Sequence, residues 1–527
     1  MGTHNGLTIA SQTLRALRRY PDRDAFVWEG GKLSYAGAFD LIGRMQAVFA
    51  RNDFRRGERV ALLSENSAES WCAGVAAQGL GLSITWLHPK GSLDDQLFQI
   101  TNSDAAIFIA DPRGHAGRAN ELCAKLPPEV KRFALGSSDF AGDLVVAARE
   151  IGSSTPVDIA LPGDTALVHY TGGTTGRSKG AVRSNDAAVA FASFGMLADL
   201  DLPVTPRYLA IAPNSHAGGT MLLPTWRRGG TVHLAGKFDP PRILERIARE
   251  GINFTFIVPT MLYALLDEPC LSKVDVSSLE YLFYGAAPAS PARLVEAIER
   301  IGPVLAQGYG QTECFPISVL RRQDHDPRNP ALLSSCGIPV ATCEVKLLDS
   351  DGNEVAHGDA GEICARTPAA MDGYWKLPDL TAETLAGGWV HTGDVARMDD
   401  RGYLYIVDRK KDLIISGGFN VYPREVEDAL TDHASVAMAA VVGIPDDRWG
   451  EAVVAAVVLR PGGAVEPHSL IDHVKQRKGS VHAPKRITIM EALPTTALGK
   501  IDKVALRRSL KGELGSICLA DFVQSDT

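Results

Sequence analysis

One glycine-rich stretch indicates both the fold and the chemistry of this chain: Tyr170-Thr171-Gly172-Gly173-Thr174-Thr175-Gly176-Arg177-Ser178-Lys179-Gly180. It follows an apolar run, Ala166-Leu167-Val168, that is typical of a β-strand. Glycines let backbone N–H groups approach an anion, threonine hydroxyls add donors, and Lys179 adds a positive charge. The stretch predicts a phosphate-binding loop, although it lacks the Gly-Lys-Ser/Thr ending of a Walker A loop. The alternative is a flexible surface loop rich in turn residues.

Composition limits the class of protein. The chain has 527 residues, 45% of them hydrophobic and 22% charged, with a formal net charge of -8. This length predicts two or more domains, and the negative charge argues against a general nucleic-acid surface. No apolar run at the N-terminus or elsewhere resembles a signal peptide or a membrane span. The cysteines form no CxxC pair, so we expect a reduced, cytoplasmic protein without a zinc site or disulfide framework.

Strand-like and helix-like patterns alternate over the first four hundred residues. Ser34 is a candidate cap for a helix, and the runs 59–63, 83–87, 105–110, 207–211 and 254–258 are strand candidates. This alternation predicts an α/β fold with layered subdomains and mainly parallel sheets over residues 1–408. The shorter strands and helices of residues 409–527 predict a small, mobile α+β domain. Five consecutive charged residues, 408–412, predict an exposed hinge between the two domains.

Three further motifs are weak when each is taken alone. Tyr309-Gly310-Gln311-Thr312-Glu313 combines an aromatic ring, a hydroxyl and one carboxylate, and a single carboxylate near phosphate is a natural ligand for Mg²⁺. Thr392-Gly393-Asp394 presents a carboxylate that could accept hydrogen bonds from ribose. Gly499-Lys500 places a lysine on a loop near the end of the chain, where it could neutralise a phosphoryl group. The alternatives are ordinary turns and a solvated lysine.

The order of these motifs resembles the adenylate-forming superfamily, which includes acyl- and aryl-CoA synthetases, peptide-synthetase adenylation domains and beetle luciferases. The resemblance extends from about Ser34 to Leu506. In that superfamily a carboxylate attacks the α-phosphorus of ATP to give an acyl-adenylate and pyrophosphate. A thiol, usually that of coenzyme A, then displaces AMP after the small domain has rotated. The resemblance therefore implies an AMP-forming acid:CoA ligase that uses ATP, Mg²⁺ and coenzyme A.

The resemblance also implies a role for each matched residue. The β,γ-phosphates would be held by Thr171, Gly172, Gly173, Thr174, Thr175 and Lys179. The adenine would contact Tyr309 and the segment Gly285, Ala286, Ala287 and Pro288. Thr312 would contact the α-phosphate, and Mg²⁺ would be bound by Glu313 with Thr174. Asp394 and Arg409 would hold the ribose, and Lys411 would lie at the hinge. The pantetheine arm would contact Gly417, Gly418 and Phe419. Lys500 would bridge the carboxylate and the α-phosphate.

The acid pocket is predicted on the same basis. Its lining would comprise His216, Ala217, Gly218, Tyr284, Gly308, Cys314, Phe315, Pro316 and Ile317. His216 stands where an aromatic residue is usual, which favours a substrate-flanking role over a purely structural one. No acidic residue lies between Leu209 and Thr220 to pair with an α-amino group, so an amino-acid substrate is disfavoured. Small residues, including Gly219 and Gly285, predict room for a bulky apolar acid, either ring-bearing or medium- to long-chain aliphatic.

Some departures and alternatives stay open at this point. Gly172 replaces a serine, Ser178 a proline and Leu498 a small polar residue that are usual in the superfamily. The enzyme could stop at the adenylate or load a free-standing carrier protein, because no carrier domain follows Lys500. A catalytically silent nucleotide-binding protein is the third alternative, and four retained residues speak against it: Glu313, Asp394, Arg409 and Lys500. The sequence also leaves open whether the protein forms a homodimer.

Overall fold

The computed structural model describes residues 7–171, 178–192, 200–409, 412–416, 419–446, 448–496 and 500–511. Its α-helices are α1 Ile9–Arg19, α2 Tyr35–Arg51, α3 Ala68–Gly79, α4 Leu93–Asn102, α5 Pro112–Lys125, α6 Leu144–Glu150, α7 Asn185–Ala190, α8 Leu222–Arg227, α9 Pro240–Glu250, α10 Pro259–Leu266, α11 Pro291–Arg300, α12 Pro378–Thr384, α13 Pro423–Thr431 and α14 Pro467–Lys478. Short 3-10 helices cover Ala217–Met221, Pro269–Lys273, Arg322–Asp324, Leu332–Ser334 and Ala386–Gly388.

The strands are β1 Asp24–Trp28, β2 Gly31–Ser34, β3 Arg59–Leu63, β4 Ser83–Leu87, β5 Ile107–Ala110, β6 Lys131–Ala134, β7 Gly142–Asp143, β8 Thr165–Thr171, β9 Lys179–Ser184, β10 Arg207–Ala210, β11 Thr231–Leu234, β12 Phe254–Ile257, β13 Tyr281–Gly285, β14 Leu305–Gln311, β15 Cys314–Leu320, β16 Ile338–Pro339, β17 Glu344–Leu348, β18 Gly361–Arg366, β19 Gly373–Tyr374, β20 Val390–Met398, β21 Leu404–Arg409, β22 Ile414–Ser416, β23 Phe419–Val421, β24 Val436–Asp446, β25 Gly450–Leu459 and β26 Arg486–Ile489.

Two large sheets with parallel centres form most of the molecule. One has the order β19-β9-β8-β4-β3-β5-β6-β7, and the other β16-β15-β14-β13-β12-β10-β11-β1-β2. Antiparallel pairs occur towards their ends, including the β8–β9 hairpin and the β14–β15 hairpin. The largest apolar cluster contains residues of both sheets and of α2 and α3. The predicted α/β class with mainly parallel sheets is confirmed.

Two smaller antiparallel or mixed sheets complete the fold. Strands β17-β18-β20-β21 form an antiparallel sheet that carries the Thr-Gly-Asp turn. Beyond it, β22 to β26 form a five-stranded sheet covered by α13 and α14, with apolar clusters made of residues from Ile414 onward. This is the predicted small α+β unit. The exact boundary at residues 408 and 409 stays a prediction.

Local sequence signals correspond closely to the observed elements. The Ser34 hydroxyl accepts a hydrogen bond from the N–H of Gly37 and begins α2, as predicted. Pro423 occupies the first turn of α13, where its missing N–H costs nothing. Strands β3 and β4 have the predicted bounds, because each is an almost continuous apolar run buried on both faces. All the cysteines among the described residues are free, which agrees with the absence of a disulfide pattern.

Candidate functional site

The predicted phosphate loop lies between two paired strands. Thr171 ends β8 and pairs with Lys179, which begins β9. Gly172, Gly173, Thr174 and Thr175 lie outside the described residues. The Lys179 ammonium lies 5.5 Å from the centre of the Tyr374 ring. Ser178, which departs from the superfamily pattern, donates a 2.7 Å hydrogen bond to Asp95 on α4, so this position is fastened by its own side chain.

A hydrogen-bonded cluster joins two distant motifs on the nucleotide side. The Tyr309 hydroxyl and the Gln311 amide both donate to Asp394 Oδ2, at 2.8 and 2.7 Å. Burial, with Asp394 as the next cause, holds the pKa of Tyr309 well above its usual range, so the phenol keeps its proton. Asp394 pairs across β20 and β21 with the backbone of Arg409. Sequence positions 309, 394 and 409 are therefore brought together.

Gly285 ends β13 and begins the segment predicted to contact adenine. Ala286 has φ of 68°, in the left-handed region that only a few non-glycine residues adopt. A Cβ on Gly285 would lie 2.5 Å from the carbonyl oxygen of Gly308 on neighbouring β14. The chain therefore leaves the sheet through a close approach of two backbones, and Ala287 and Pro288 follow beyond the end of the strand.

Thr312 and Glu313 form the tight turn between β14 and β15. Tyr374 donates a 2.6 Å hydrogen bond to Glu313 Oε1, and the N–H of Met371 donates to the Glu313 carbonyl at 2.7 Å. Burial and then Glu313 raise the pKa of Tyr374. The described residues provide no hydrogen-bond donor for Glu313 Oε2. One half-buried carboxylate with a spare oxygen fits Mg²⁺, which takes few protein ligands and completes its shell with phosphate and water.

Three histidines meet in a second cluster, which includes the predicted acid-flanking residue. The His216 ring makes edge contacts with His88 and His169, at centroid distances of 4.8 and 4.7 Å. Burial, then His169, His88 and Lys500, in that order, depress the pKa of His216 well below its usual value. Burial likewise lowers the pKa of His88 and of His169 to about 4. All three imidazoles are therefore neutral at pH 7.

The charge of Lys500, in the small domain, acts on this cluster. Its charge is among the causes of the depressed His216 pKa, after burial and the two neighbouring histidines. Its carbonyl accepts a 2.7 Å hydrogen bond from the N–H of Thr496, and Thr495 bridges Ile501 across the same turn. Residues 497–499, including Leu498, lie outside the described residues. The terminal lysine and the acid-flanking histidine are thus coupled electrostatically.

The acid side differs from the predicted open cavity. A Cβ on Gly218 or Gly219 would lie 2.3 or 2.0 Å from the carbonyl oxygens of Ala212 or Asn214. A Cβ on Gly308 would lie 2.4 Å from the buried Phe283 ring. These glycines are small because neighbouring groups occupy the space, so they do not measure room for a substrate. Ala217, which precedes them, is half-buried.

The side chains predicted to wall the acid are placed unevenly. Tyr284 is fully buried in a different apolar cluster from Phe283, its neighbour on β13, and its hydroxyl contacts His325 at 3.0 Å. Cys314, Pro316 and Ile317 are buried. Phe315 is half-buried and packs on Phe191, with ring centres 5.7 Å apart. Phe315 and Phe191 are therefore the aromatic candidates for contact with an acid.

The charged connector is only partly exposed. Asp408 is 8% exposed and accepts a hydrogen bond from the N–H of Arg424, which corrects the expectation of five exposed charges. Strand pairing carries β21 as far as Arg409, which is why Asp408 is buried. Lys411, Gly417 and Gly418 lie outside the described residues. Phe419 is 60% exposed and Ile415 is 55% exposed on the paired strands β22 and β23, so apolar side chains face solvent near the predicted pantetheine segment.

Sequence reasoning missed four residues that complete the cleft: His88, His169, Arg183 and Tyr374. His169 shares its strand face with Thr171 two residues later, so strand alternation could have revealed it. Tyr374 and His88 are distant in sequence from every motif and carry no local signal.

A further group, Glu362, Cys364 and His391, lies beside the Thr-Gly-Asp turn. Cys364 and Glu362 both approach His391 Nδ1, at 3.3 and 3.7 Å. The Glu362 carboxylate also accepts a 2.9 Å hydrogen bond from the N–H of Gly393, next to Asp394. The group therefore supports the turn that presents Asp394.

Comparisons with known proteins agree with this geometry. Residues 14–375 match the AMP-binding enzyme family, and residues 425–500 match the AMP-binding enzyme C-terminal domain. A medium/long-chain-fatty-acid–CoA ligase, FadD8 of Mycobacterium tuberculosis, is 40% identical over 96% of this chain and 90% of its own length. A feruloyl-CoA synthase of Amycolatopsis sp is 34% identical over 95% and 98%. The solved amide bond synthetase McbA of Marinactinospora thermotolerans superposes with a TM-score of 0.86 at 33% identity, covering 95% and 99%.

The chain belongs to the AMP-binding enzyme family. Its predicted membership of the adenylate-forming superfamily, in the acyl-CoA synthetase branch, is confirmed. So is the predicted class of activity, an AMP-forming acid:CoA ligase with ATP, Mg²⁺ and coenzyme A as its cofactors and cosubstrates. Among the described helices, none has the length and apolar character needed to cross a membrane.

Proposed function

We propose that this cleft activates a bulky, largely apolar carboxylic acid as its adenylate and then transfers the acyl group to coenzyme A. The observation that carries the proposal is the hydrogen bond from Tyr309 to Asp394, in a fold where the charge of Lys500 also acts on His216. An ammonium near the reacting carboxylate and α-phosphate neutralises charge that develops during adenylation. This placement of the small domain supports the first half-reaction, adenylation.

The nucleotide side would bind ATP by backbone and hydroxyl contacts. Thr171 and Lys179 flank the loop proposed to hold the β,γ-phosphates, and Thr312 would contact the α-phosphate. Asp394 would accept hydrogen bonds from the ribose, beside Arg409. Glu313 would hold Mg²⁺, which supplies charge neutralisation on the phosphates when bound. Tyr374 fixes the carboxylate in position through its 2.6 Å hydrogen bond.

The acid side supports an apolar body in contact with Phe315 and Phe191. Burial of each CH₂ group favours binding by roughly 0.8 kcal/mol, so an acid that covers these rings should outrank acetate. Amino acids would bring an ammonium beside Lys500 and Arg183, with no carboxylate in the segment 209–220 to pair with it. Ring-bearing and medium- to long-chain aliphatic acids are both compatible with these contacts.

The second half-reaction rests on domain movement about residues 408–412. In the present pose Arg424 of the small domain donates a 2.6 Å hydrogen bond to the carbonyl of Ala289, next to the proposed adenine segment. Rotation would break this contact and bring Gly417, Gly418 and Phe419 to the pantetheine arm. Lys411→Pro should lower thioester transfer more than adenylation, because proline fixes φ at the hinge. Equal losses in both half-reactions would contradict the hinge assignment.

The test is acid-dependent pyrophosphate release over a panel of acids, with and without coenzyme A. We expect release with aryl, alicyclic and medium- to long-chain acids, a lower rate with acetate, and acyl-CoA only when coenzyme A is present. First rank for acetate or an amino acid would overturn the acid assignment. Acyl transfer to a free-standing carrier protein in place of coenzyme A would overturn the assignment of coenzyme A as the acceptor. Fractionation and sizing would test two further proposals, cytoplasmic localisation and a homodimer.

A further inference from the structure

Arg183 is a buried cation inside the cleft that none of the roles above uses. It lies on β9, is 9% exposed, and shares a strand face with Lys179. Its Nη2 donates a 3.0 Å hydrogen bond to the carbonyl of Thr312, and its guanidinium lies 5.2 Å from the centre of the Phe191 ring. Its Nε is buried and has no hydrogen-bond partner among the described residues.

Within the part of the chain that the structure describes, no Asp or Glu oxygen forms an ion pair with the guanidinium of Arg183. The acids whose charges reach it are otherwise engaged: Glu313 accepts from Tyr374, and Asp372 accepts from the N–H and hydroxyl of Ser184. Burial lowers the pKa of Arg183, which shows that its charge is held at a cost. A buried charge without a partner is strongly disfavoured, so an acceptor supplied by a ligand would relieve that cost.

Its position identifies which ligand is in reach. Arg183 lies between Thr312, the proposed α-phosphate contact, and the Phe191–Phe315 pair, the proposed acid contact. Lys179 lies beside the proposed phosphate loop, and Lys500 is proposed to bridge the carboxylate and the α-phosphate. Arg183 instead contacts the Phe191 ring, which holds the guanidinium on the aromatic side.

We propose that Arg183 is a specificity-determining residue that donates a hydrogen bond to an oxygen on the body of the acid, a keto group or a second carboxylate. This rests on the proposed function, because it concerns the same acid. The substrate is then an acid with an apolar body that carries one strong acceptor away from the reacting carboxylate. Hydrogen bonds to a charged group are strong enough that losing this one should cost roughly 10- to 100-fold in kcat/KM.

The experiment compares acids of one chain length: octanoate, octanedioate and a set of oxo-octanoates with the keto group at successive carbons. Pyrophosphate release is measured for the wild type and for Arg183→Met, Arg183→Lys and the remote control Arg118→Met. Arg118 is half-buried and bonds the carbonyl of Gly91 and the side chain of Gln96. We expect at least one oxygenated acid to outrank octanoate in the wild type. Arg183→Met should remove that preference, Arg183→Lys should keep part of it, and Arg118→Met should keep all of it.

The outcomes separate this proposal from the function beneath it. If the wild type releases no pyrophosphate with any acid, the proposed function fails. If the wild type is active and octanoate outranks every oxygenated acid, only the role of Arg183 is overturned. If Arg183→Met lowers octanoate and the favoured oxygenated acid equally, Arg183 merely positions Thr312 and the proposal is again overturned. If Arg183→Met does not fold, the wild-type ranking and Arg183→Lys decide the question.

Discussion

The nucleotide side and the acid side of the cleft are built in different ways. On the nucleotide side, Tyr309, Gln311 and Asp394 are joined by hydrogen bonds between strands whose register is set by backbone pairing. On the acid side, the three histidines meet through ring contacts, and glycines press against carbonyl groups. The first arrangement is recognisable from short motifs. The second depends on side-chain packing, which can differ between enzymes that bind acids of different shape.

Lys500→Ala should have the largest effect, because Lys500 is proposed to bridge the carboxylate on the acid side and the α-phosphate on the nucleotide side. Loss of a preorganised charge at the α-phosphate typically costs on the order of hundreds-fold or more in rate. Acid-dependent pyrophosphate release should fall by this amount, while thioester formation from pre-made acyl-adenylate persists. The control is Lys475→Ala on the exposed face of α14. Near-normal pyrophosphate release in the Lys500 variant would show that the two sides act without it.

Glu313→Gln should act on the nucleotide side alone. The substitution keeps the shape and the hydrogen bond from Tyr374 while removing the charge that Mg²⁺ prefers. The Mg²⁺ concentration for half-maximal activity should rise roughly tenfold or more, since 1.4 kcal/mol corresponds to about a factor of ten. The ranking of acids should not change. A magnesium titration identical to that of the wild type would reject Glu313 as a metal ligand. An altered ranking of acids would show that Glu313 also acts on the acid side.

Tyr309→Phe tests how far the hydrogen-bonded cluster depends on one donor. Gln311 still donates to Asp394 Oδ2, so the expected rise in KM for ATP is smaller, roughly 3- to 10-fold, as for loss of one hydrogen bond. The KM for the acid should stay unchanged. Tyr403→Phe, a half-buried tyrosine in the β20–β21 connection, is the matched control. A larger shift for the acid than for ATP would place Tyr309 on the wrong side of the cleft.

His88→Asn tests the acid side through stability. The pKa of folded His88 is about 4, whereas an unfolded histidine titrates near its usual 6.5. Between these values the unfolded chain binds more protons, so the folded state loses stability as the pH falls from about 6.5 towards 4. At pH 7 His88 is neutral in the folded state and mostly neutral in the unfolded chain, so the loss is small.

Asparagine can still accept the N–H of Lys90 that His88 Nδ1 accepts at 3.1 Å, and it does not titrate. The variant should therefore show a weaker fall in unfolding free energy between about pH 7 and pH 4.5, by up to about 2 kcal/mol. Urea unfolding at the two pH values measures it. An unchanged pH dependence would mean that burial does not hold His88 neutral in the folded state.

Prediction from sequence succeeded where neighbours along the chain carry the information. Apolar runs predicted the bounds of β3 and β4, Ser34 marked the start of α2, and motif order identified the superfamily. It was less successful at Asp408, which strand pairing buries. It was also less successful at Gly218 and Gly308, where a backbone carbonyl and the Phe283 ring leave no space for a larger side chain. Tyr284 belongs to a different apolar cluster from its strand neighbour Phe283, which a motif match does not reveal.

By itself, the sequence determined the fold class and the superfamily, and it predicted the phosphate loop, the roles of the carboxylates at 313 and 394 and the role of the terminal lysine. These follow from local periodicity, turn chemistry and motif order, all of which act over a few residues. Only the tertiary structure decided that Tyr374 holds Glu313, that three histidines stay neutral together, and that Arg183 is buried without a countercharge among the described residues. Those contacts join residues far apart in the chain, and only the packing of strands and helices brings them within reach.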